Sequence, residues 1–117
     1  MTKYCIKINK KSFYEPVECS GINVVYKNDI AVIGDLRIDN RVELQKIEKL
    51  SHTKSDVEII EFLYKKYGEK YIKKIHGAFA FILHDKLRGQ LSIARDQLGQ
   101  KIIYYLVNTN EIYISSS

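Results

Sequence analysis

Cys5 and Cys19 are the side chains best able to attack a carbonyl in this chain of 117 residues. A thiol does so as the thiolate, which requires a nearby base or local positive charge. Cys5 falls in an alternating apolar and polar run and reads as a buried structural cysteine. The two thiols have no metal-binding spacing. His76 and His84 read as strand-edge residues without a ligand partner at recognisable spacing, so no metal site is expected. Asp56 directly follows Ser55 at a helix start, where a carboxylate complements the helix dipole.

The elements that must position these groups read as strands, then helices, then strands. Residues 4–10 alternate Tyr4, Ile6 and Ile8 against Cys5, Lys7 and Asn9, the period of a half-buried strand. Residues 22–26 and 30–33 are β-branched runs on either side of Lys27-Asn28-Asp29, a hairpin-like turn. Residues 42–50 carry apolar side chains at helical spacing, with Asp39 and Asn40 as candidate caps. A stronger helix starts at Ser55, with Glu58 three residues later as in a capping box, and Gly68 stops it. Residues 69–75 read as a further turn or two of helix. Residues 78–83 are a continuous apolar run, a buried strand bounded by Gly77 and by the turn at 85–89. Residues 90–94, 102–107 and 112–114 complete a meander, with a turn at 108–110. The fold class is α+β, and residues 1–117 read as one domain.

Composition narrows the function. Hydrophobic residues make up 45% of the chain, enough for a core without disulfides or metal, and the nine tyrosines favour sheet surfaces. The formal net charge is +5, but the lysines are spread out, with pairs such as Lys10-Lys11, Lys65-Lys66 and Lys73-Lys74 as the densest groups. That pattern reads as a solvated basic surface, not a nucleic-acid stripe. No secretory segment and no apolar run of membrane-spanning length occurs. A cytoplasmic, reduced protein is the expectation.

The ordered set Ser55-Asp56-Val57-Glu58-Ile59-Ile60, Tyr64, Tyr67-Gly68-Glu69, His76-Gly77-Ala78-Phe79-Ala80-Phe81, Asp85 and Ala94-Arg95-Asp96-Gln97-Leu98-Gly99-Gln100-Lys101-Ile102-Ile103-Tyr104-Tyr105 resembles the second half of the class II glutamine amidotransferase domain of asparagine synthetases and their relatives. The resemblance covers about residues 34–117. It implies an N-terminal-nucleophile-hydrolase-like sandwich of two antiparallel sheets with flanking helices, here shortened at the N-terminus. In that family an amino-terminal cysteine attacks the glutamine amide, its own amine acts as base, and an oxyanion hole holds the intermediate. Ammonia then passes to a C-terminal synthetase domain or subunit that uses ATP and magnesium. No cofactor is expected in the present domain.

Carried onto this chain residue by residue, the resemblance implies a degenerate site. Met1-Thr2-Lys3-Tyr4-Cys5 stands where the family opens Met-Cys-Gly, so Cys5 has a blocked nitrogen and cannot supply its own base. Cys19-Ser20-Gly21-Ile22 is a superficial match to the opening motif, reachable only by processing. Thr2 is a nucleophile type in other branches of the superfamily and reads here as a surface threonine. The Asn-Gly of the oxyanion-hole motif becomes Ile33-Gly34, and an isoleucine has no side-chain donor. Gly34, Asp35 and Asp56 form the residual glutamine pocket, with Asp56 matching the aspartate that holds the glutamine amine. Arg95, Asp96, Gly99 and Lys101 are fold markers tying a strand end to a turn, and Tyr104-Tyr105 reads as core and sheet surface.

The string Gly34-Asp35-Leu36-Arg37-Ile38-Asp39-Asn40-Arg41, followed by Glu43 and Leu44, is also similar to asparagine-synthetase homologues that close macrolactams, such as lasso-peptide cyclases. These keep the fold without the nucleophile, because the amine comes from a peptide substrate. The reading is a non-catalytic scaffold or substrate-docking module of an ATP-dependent amide-forming enzyme. Two alternatives are a working amidotransferase domain delivering ammonia for asparagine synthesis, and a free-standing binding or regulatory protein on this fold.

Overall fold

The computed structural model describes residues 4–96, 98–99, 103–107 and 109–116. Among the described residues seven strands form two antiparallel sheets. The four-stranded sheet runs β2 (Glu18–Ser20), β1 (Cys5–Asn9), β7 (Glu111–Ser115), β6 (Tyr104–Val107). The three-stranded sheet runs β3 (Ile30–Ile38), β4 (Gly77–Asp85), β5 (Gln90–Arg95). Helices α1 (Arg41–Ile47) and α2 (Asp56–Tyr67), with the 3₁₀ segment Gly68–Lys74, connect β3 to β4. This is the expected α+β sandwich. No described helix is long and apolar enough to cross a membrane.

β4 explains the layering. It is buried on both faces, as its unbroken apolar run requires. Phe79, Phe81 and Leu83 face the helices and join Ile59, Ile60, Leu63 and Tyr71 in one core. Ile82, one residue out of phase, joins Ile6, Ile8, Ile33 and Ile114 in a second core between the sheets. α2 begins as its sequence dictates. Ser55 accepts the Glu58 N–H at 3.2 Å while Glu58 accepts the Ser55 N–H at 3.1 Å, a complete capping box.

Several expectations need correction. Residues 22–26 form no strand ladder, although the turn after them is tight, with Asn28 and Asp29 at φ 53° and 67°. Lys27 and Ile30 exchange both backbone hydrogen bonds across it. The edge of β1 is taken by the short strand β2, which the sequence pattern does not reveal. Ile22, Val24 and Tyr26 instead drop side chains onto the inter-sheet core. α1 is shorter than residues 42–50 and buries only Leu44. Lys49 turns left-handed at φ 55°, and the Leu50 N–H closes back on the Gln45 carbonyl at 2.9 Å, a Schellman-type ending with lysine in the glycine position.

Asn40 caps nothing with its side chain. It accepts the His76 N–H at 3.0 Å and donates to the Lys74 carbonyl at 2.9 Å, clamping the entrance to β4. His84 is not at a strand edge but lies inside β4, fully buried. Tyr104 and Tyr105 are exposed, not core.

Candidate functional site

β1 and β2 pair so that Ile6 stands opposite Cys19, which turns the Cys19 side chain towards the inter-sheet core. Cys5, one residue out of phase, is exposed on the outer face, which corrects its reading as a buried cysteine. Tyr4 is buried beside this strand pair. Its backbone N–H donates to Ser116 Oγ at 2.9 Å, and its carbonyl accepts the Ser116 N–H. Burial, with the charge of Asp35 and the Cys19 thiol close by, pushes the Tyr4 phenol up to about 12. Asp35 and Cys19 thus lie near enough to Tyr4 for their charges to act on its phenol.

Burial also raises the Cys19 thiol, offset in part by the Ile22 amide. A raised thiol is protonated at neutral pH and is a poor nucleophile. The Cys19 nitrogen is a peptide nitrogen within β2, so it is no base. Cys19 Sγ lies 3.7 Å from the Ser20 carbonyl oxygen, a weak contact.

Gly34 occupies a position no other residue fits. Its φ is +141°, and an added Cβ would lie 2.4 Å from the Ala80 carbonyl oxygen and 2.7 Å from Phe81 Cα. Ile33 beside it is 2% exposed and packed into the inter-sheet core. The register settles where the backbone of this segment points. Asp39 N–H donates to the His76 carbonyl at 2.7 Å, and hydrogen-bonded pairs alternate along an antiparallel ladder. The N–H and C=O groups of Gly34, Leu36 and Ile38 thus face away from β4, along the open edge of β3.

Asp56 stands at that edge with its carboxylate engaged. Oδ2 accepts the Ile38 N–H at 3.3 Å, and Oδ1 accepts Arg41 Nη1 at 2.5 Å. Arg41 also donates to the Lys54 carbonyl. Both side chains of this ion pair are largely shielded. Asp56 is not the cap, since Ser55 serves that role. It joins the end of β3, the start of α1 and the start of α2 at a single point.

The fold markers behave as structure. Asp96 Oδ1 accepts the Phe79 N–H at 3.0 Å, and the Gly99 N–H donates to the Asp96 carbonyl at 3.1 Å. A Cβ on Gly99 would strike the Arg95 guanidinium. Thr2 and Lys101 lie outside the described residues. Among the described residues no group of three or more His, Cys, Asp or Glu side chains could hold a metal. Two concavities, of about 510 and 490 Å³, lie alongside β5, away from Cys19 and Asp35.

The two antiparallel sheets and their helices are consistent with the sandwich expected from the resemblance, and comparison with known sequences decides the family. Residues 19–117 match the glutamine amidotransferase domain family. The chain belongs to this family. It is 34% identical over 79 residues to asparagine synthetase [glutamine-hydrolyzing] 1 of Bacillus subtilis, covering 68% of this chain and 12% of that protein. It is 38% identical over 85 residues to asparagine synthetase [glutamine-hydrolyzing] 2 of Oryza sativa subsp. japonica, covering 68% of this chain and 14% of that protein. It is 45% identical over 62 residues to amidase chry2 of Gibberella zeae, covering 53% of this chain and 9% of that protein. The chain thus spans only a small part of the length of these relatives.

Two participants were not singled out by their residue types. Tyr4 gave no signal beyond its place in a strand. Arg41 stood in the Asn40-Arg41 string, but its pairing with Asp56 depends on how α1 meets α2.

Proposed function

We propose that this domain is a non-catalytic amidotransferase-fold module of an asparagine-synthetase-type amide-forming ligase, acting as a scaffold or substrate-docking unit. The burial of Ile33 carries the reading. Its side chain fills the inter-sheet core at the position where the family's motif has an asparagine donor. Loss of one such donor costs about 10²–10³ in rate. The engaged carboxylate of Asp56 supports the same reading, because a glutamine amine would have to displace Arg41. The protonated thiol of Cys19 and the exposed, internal Cys5 support it further.

The partner under this proposal is a C-terminal synthetase domain or subunit, like those of the asparagine synthetases named above. ATP and magnesium act there, and no residue of this chain is assigned to hold them. A peptide that donates its own amine, as in the macrolactam-forming homologues, fits a module without ammonia production. A cytoplasmic setting fits two free thiols.

Glutamine hydrolysis by the purified chain, with its N-terminus fixed by intact mass, tests the proposal. The expected result is no glutamate release above a buffer blank. Turnover that disappears in Cys19→Ala or Cys5→Ala would overturn the proposal.

A further inference from the structure

β5 is an edge strand whose outer side opens into a groove. Its hydrogen-bonding phase follows from Asp96 N–H donating to the Phe79 carbonyl at 3.0 Å. The N–H and C=O groups of Leu91, Ile93 and Arg95 therefore point away from β4. No described strand pairs with them. Ser92 and Ile93 are exposed, as residues at an uncovered edge are.

The groove lies between this edge and the helical layer. One section, of about 510 Å³, has Tyr64, Tyr71 and Ile72 on its helical wall and Ser92 to Arg95 on its strand wall. A second, of about 490 Å³, continues it past Ile72 and Arg95 to Phe79 and Leu98. A strand beside a helical wall, with a free ladder and an apolar floor, suits an extended peptide laid in as an additional strand. The six residues of β5 offer about 20 Å of ladder.

Charge selects the kind of peptide. Lys65, Lys73 and Arg95 rim the groove and its short extension towards Arg88. Lys65 and Lys73 enter no ion pair among the described residues, whereas Arg88 is held by Asp85. On the acidic side Glu69 is exposed, and Asp96 is buried and turned to the Phe79 amide.

We infer that the open edge of β5 is a docking site for an extended acidic peptide segment carrying apolar side chains at alternate positions. The inference rests on the docking-module reading and gives it a location and a ligand class.

The probe is a fluorescein-labelled decapeptide alternating glutamate with valine or phenylalanine, titrated with the intact chain by fluorescence anisotropy. Saturable binding is expected, with amide shifts in the NMR spectrum at Leu91, Ile93 and Arg95. Methylating alternate backbone nitrogens of the probe should weaken binding by about tenfold or more, because it removes ladder donors. Replacing each glutamate by lysine should do the same through the rim charges. The double variant Lys65→Gln/Lys73→Gln should weaken the parent probe by about threefold or more while the domain stays folded by its NMR spectrum. Equal binding of the methylated or the lysine probe overturns the assignment, as does no binding of the parent up to about 1 mM. A dimer abolished by Ile93→Pro, which removes an outward-facing N–H, would assign the edge to a second copy and also overturn it. Glutamine hydrolysis assayed on the same sample keeps the outcomes apart. Turnover with peptide binding removes the non-catalytic reading and leaves the groove, while neither activity removes the groove and leaves that reading.

Discussion

His84 holds both ring nitrogens in hydrogen bonds at a site closed to water, so its partners fix its protonation state. Nε2 lies 2.7 Å from the Phe13 carbonyl, which can only accept, so Nε2 carries the proton. Nδ1 is then the acceptor for the Tyr26 hydroxyl at 2.7 Å, and that hydroxyl accepts the Val17 N–H at 2.9 Å. Burial lowers the His84 pKa, offset in part by the Phe13 carbonyl. The sign follows from linkage. An unfolded histidine takes up its proton near pH 6.5 while the folded one resists, so stability is complete above about pH 6.5 and falls as pH drops towards the lowered folded value. Urea midpoints between pH 7.5 and 5.5 should show this fall, and His84→Leu should flatten it. That variant should also cost about 1–3 kcal/mol at pH 7.5, because the Phe13 carbonyl and the Tyr26 hydroxyl lose a buried partner. An unchanged slope in His84→Leu would assign the pH response to another group. None of this was legible in the sequence. His84 follows Leu83 at the end of an apolar run and so reads as the strand's edge, whereas the ladder with β3 continues through Asp85. Gly34 and Asp56 were legible as residues, but not the Arg41 guanidinium that engages Asp56.

Helix ends are decided by single positions, and the two helices illustrate opposite cases. α2 carries a complete capping box, so Ser55→Ala should cost about 1 kcal/mol. A urea midpoint unmoved within error would show that tertiary packing alone sets this helix start. α1 ends at Lys49, whose left-handed φ of 55° crowds its Cβ against its own carbonyl. Lys49→Gly should raise stability by about 0.5–1 kcal/mol, read from the same unfolding curves, while a loss would mean that the lysine side chain makes a compensating contact. The contrast explains what the sequence could reveal about elements. α2 and β4 were legible because capping, periodicity and burial all agree in one short window. α1 read too long because Leu50 keeps the helical spacing of Leu44 and Ile47 although the backbone has already turned at Lys49. The run at 22–26 read as a strand because β-branched residues also suit an extended segment that only packs its side chains. Whether it finds a ladder depends on whether a neighbour's edge is free, and β2 had already taken β1.

At the scale of the whole molecule, a four-stranded sheet lies on a three-stranded one, and β6 is the strand left over. The family resemblance made the two-sheet sandwich legible, but not how many strands each sheet holds or which one projects. Tyr104, Tyr105, Leu106 and Val107 are 55%, 66%, 66% and 51% exposed, so neither face of β6 reaches a core. β7 pairs with one edge of β6, and no described strand pairs with the other. The strand contains no charge and no proline, the usual guards against edge-to-edge pairing. A short, uncharged apolar edge of this kind invites association at high concentration. Leu106→Lys should therefore lower light scattering of concentrated samples, and because the side chain is exposed it should move the unfolding midpoint by no more than about 0.5 kcal/mol. A lysine at the already charged strand β1, for example at Asn9, should leave the scattering unchanged. If Leu106→Lys instead unfolds the domain, the side chain is holding structure together and β6 is not the free edge. If it folds normally and scatters as before, association runs through another surface, and the projecting strand is shielded in solution.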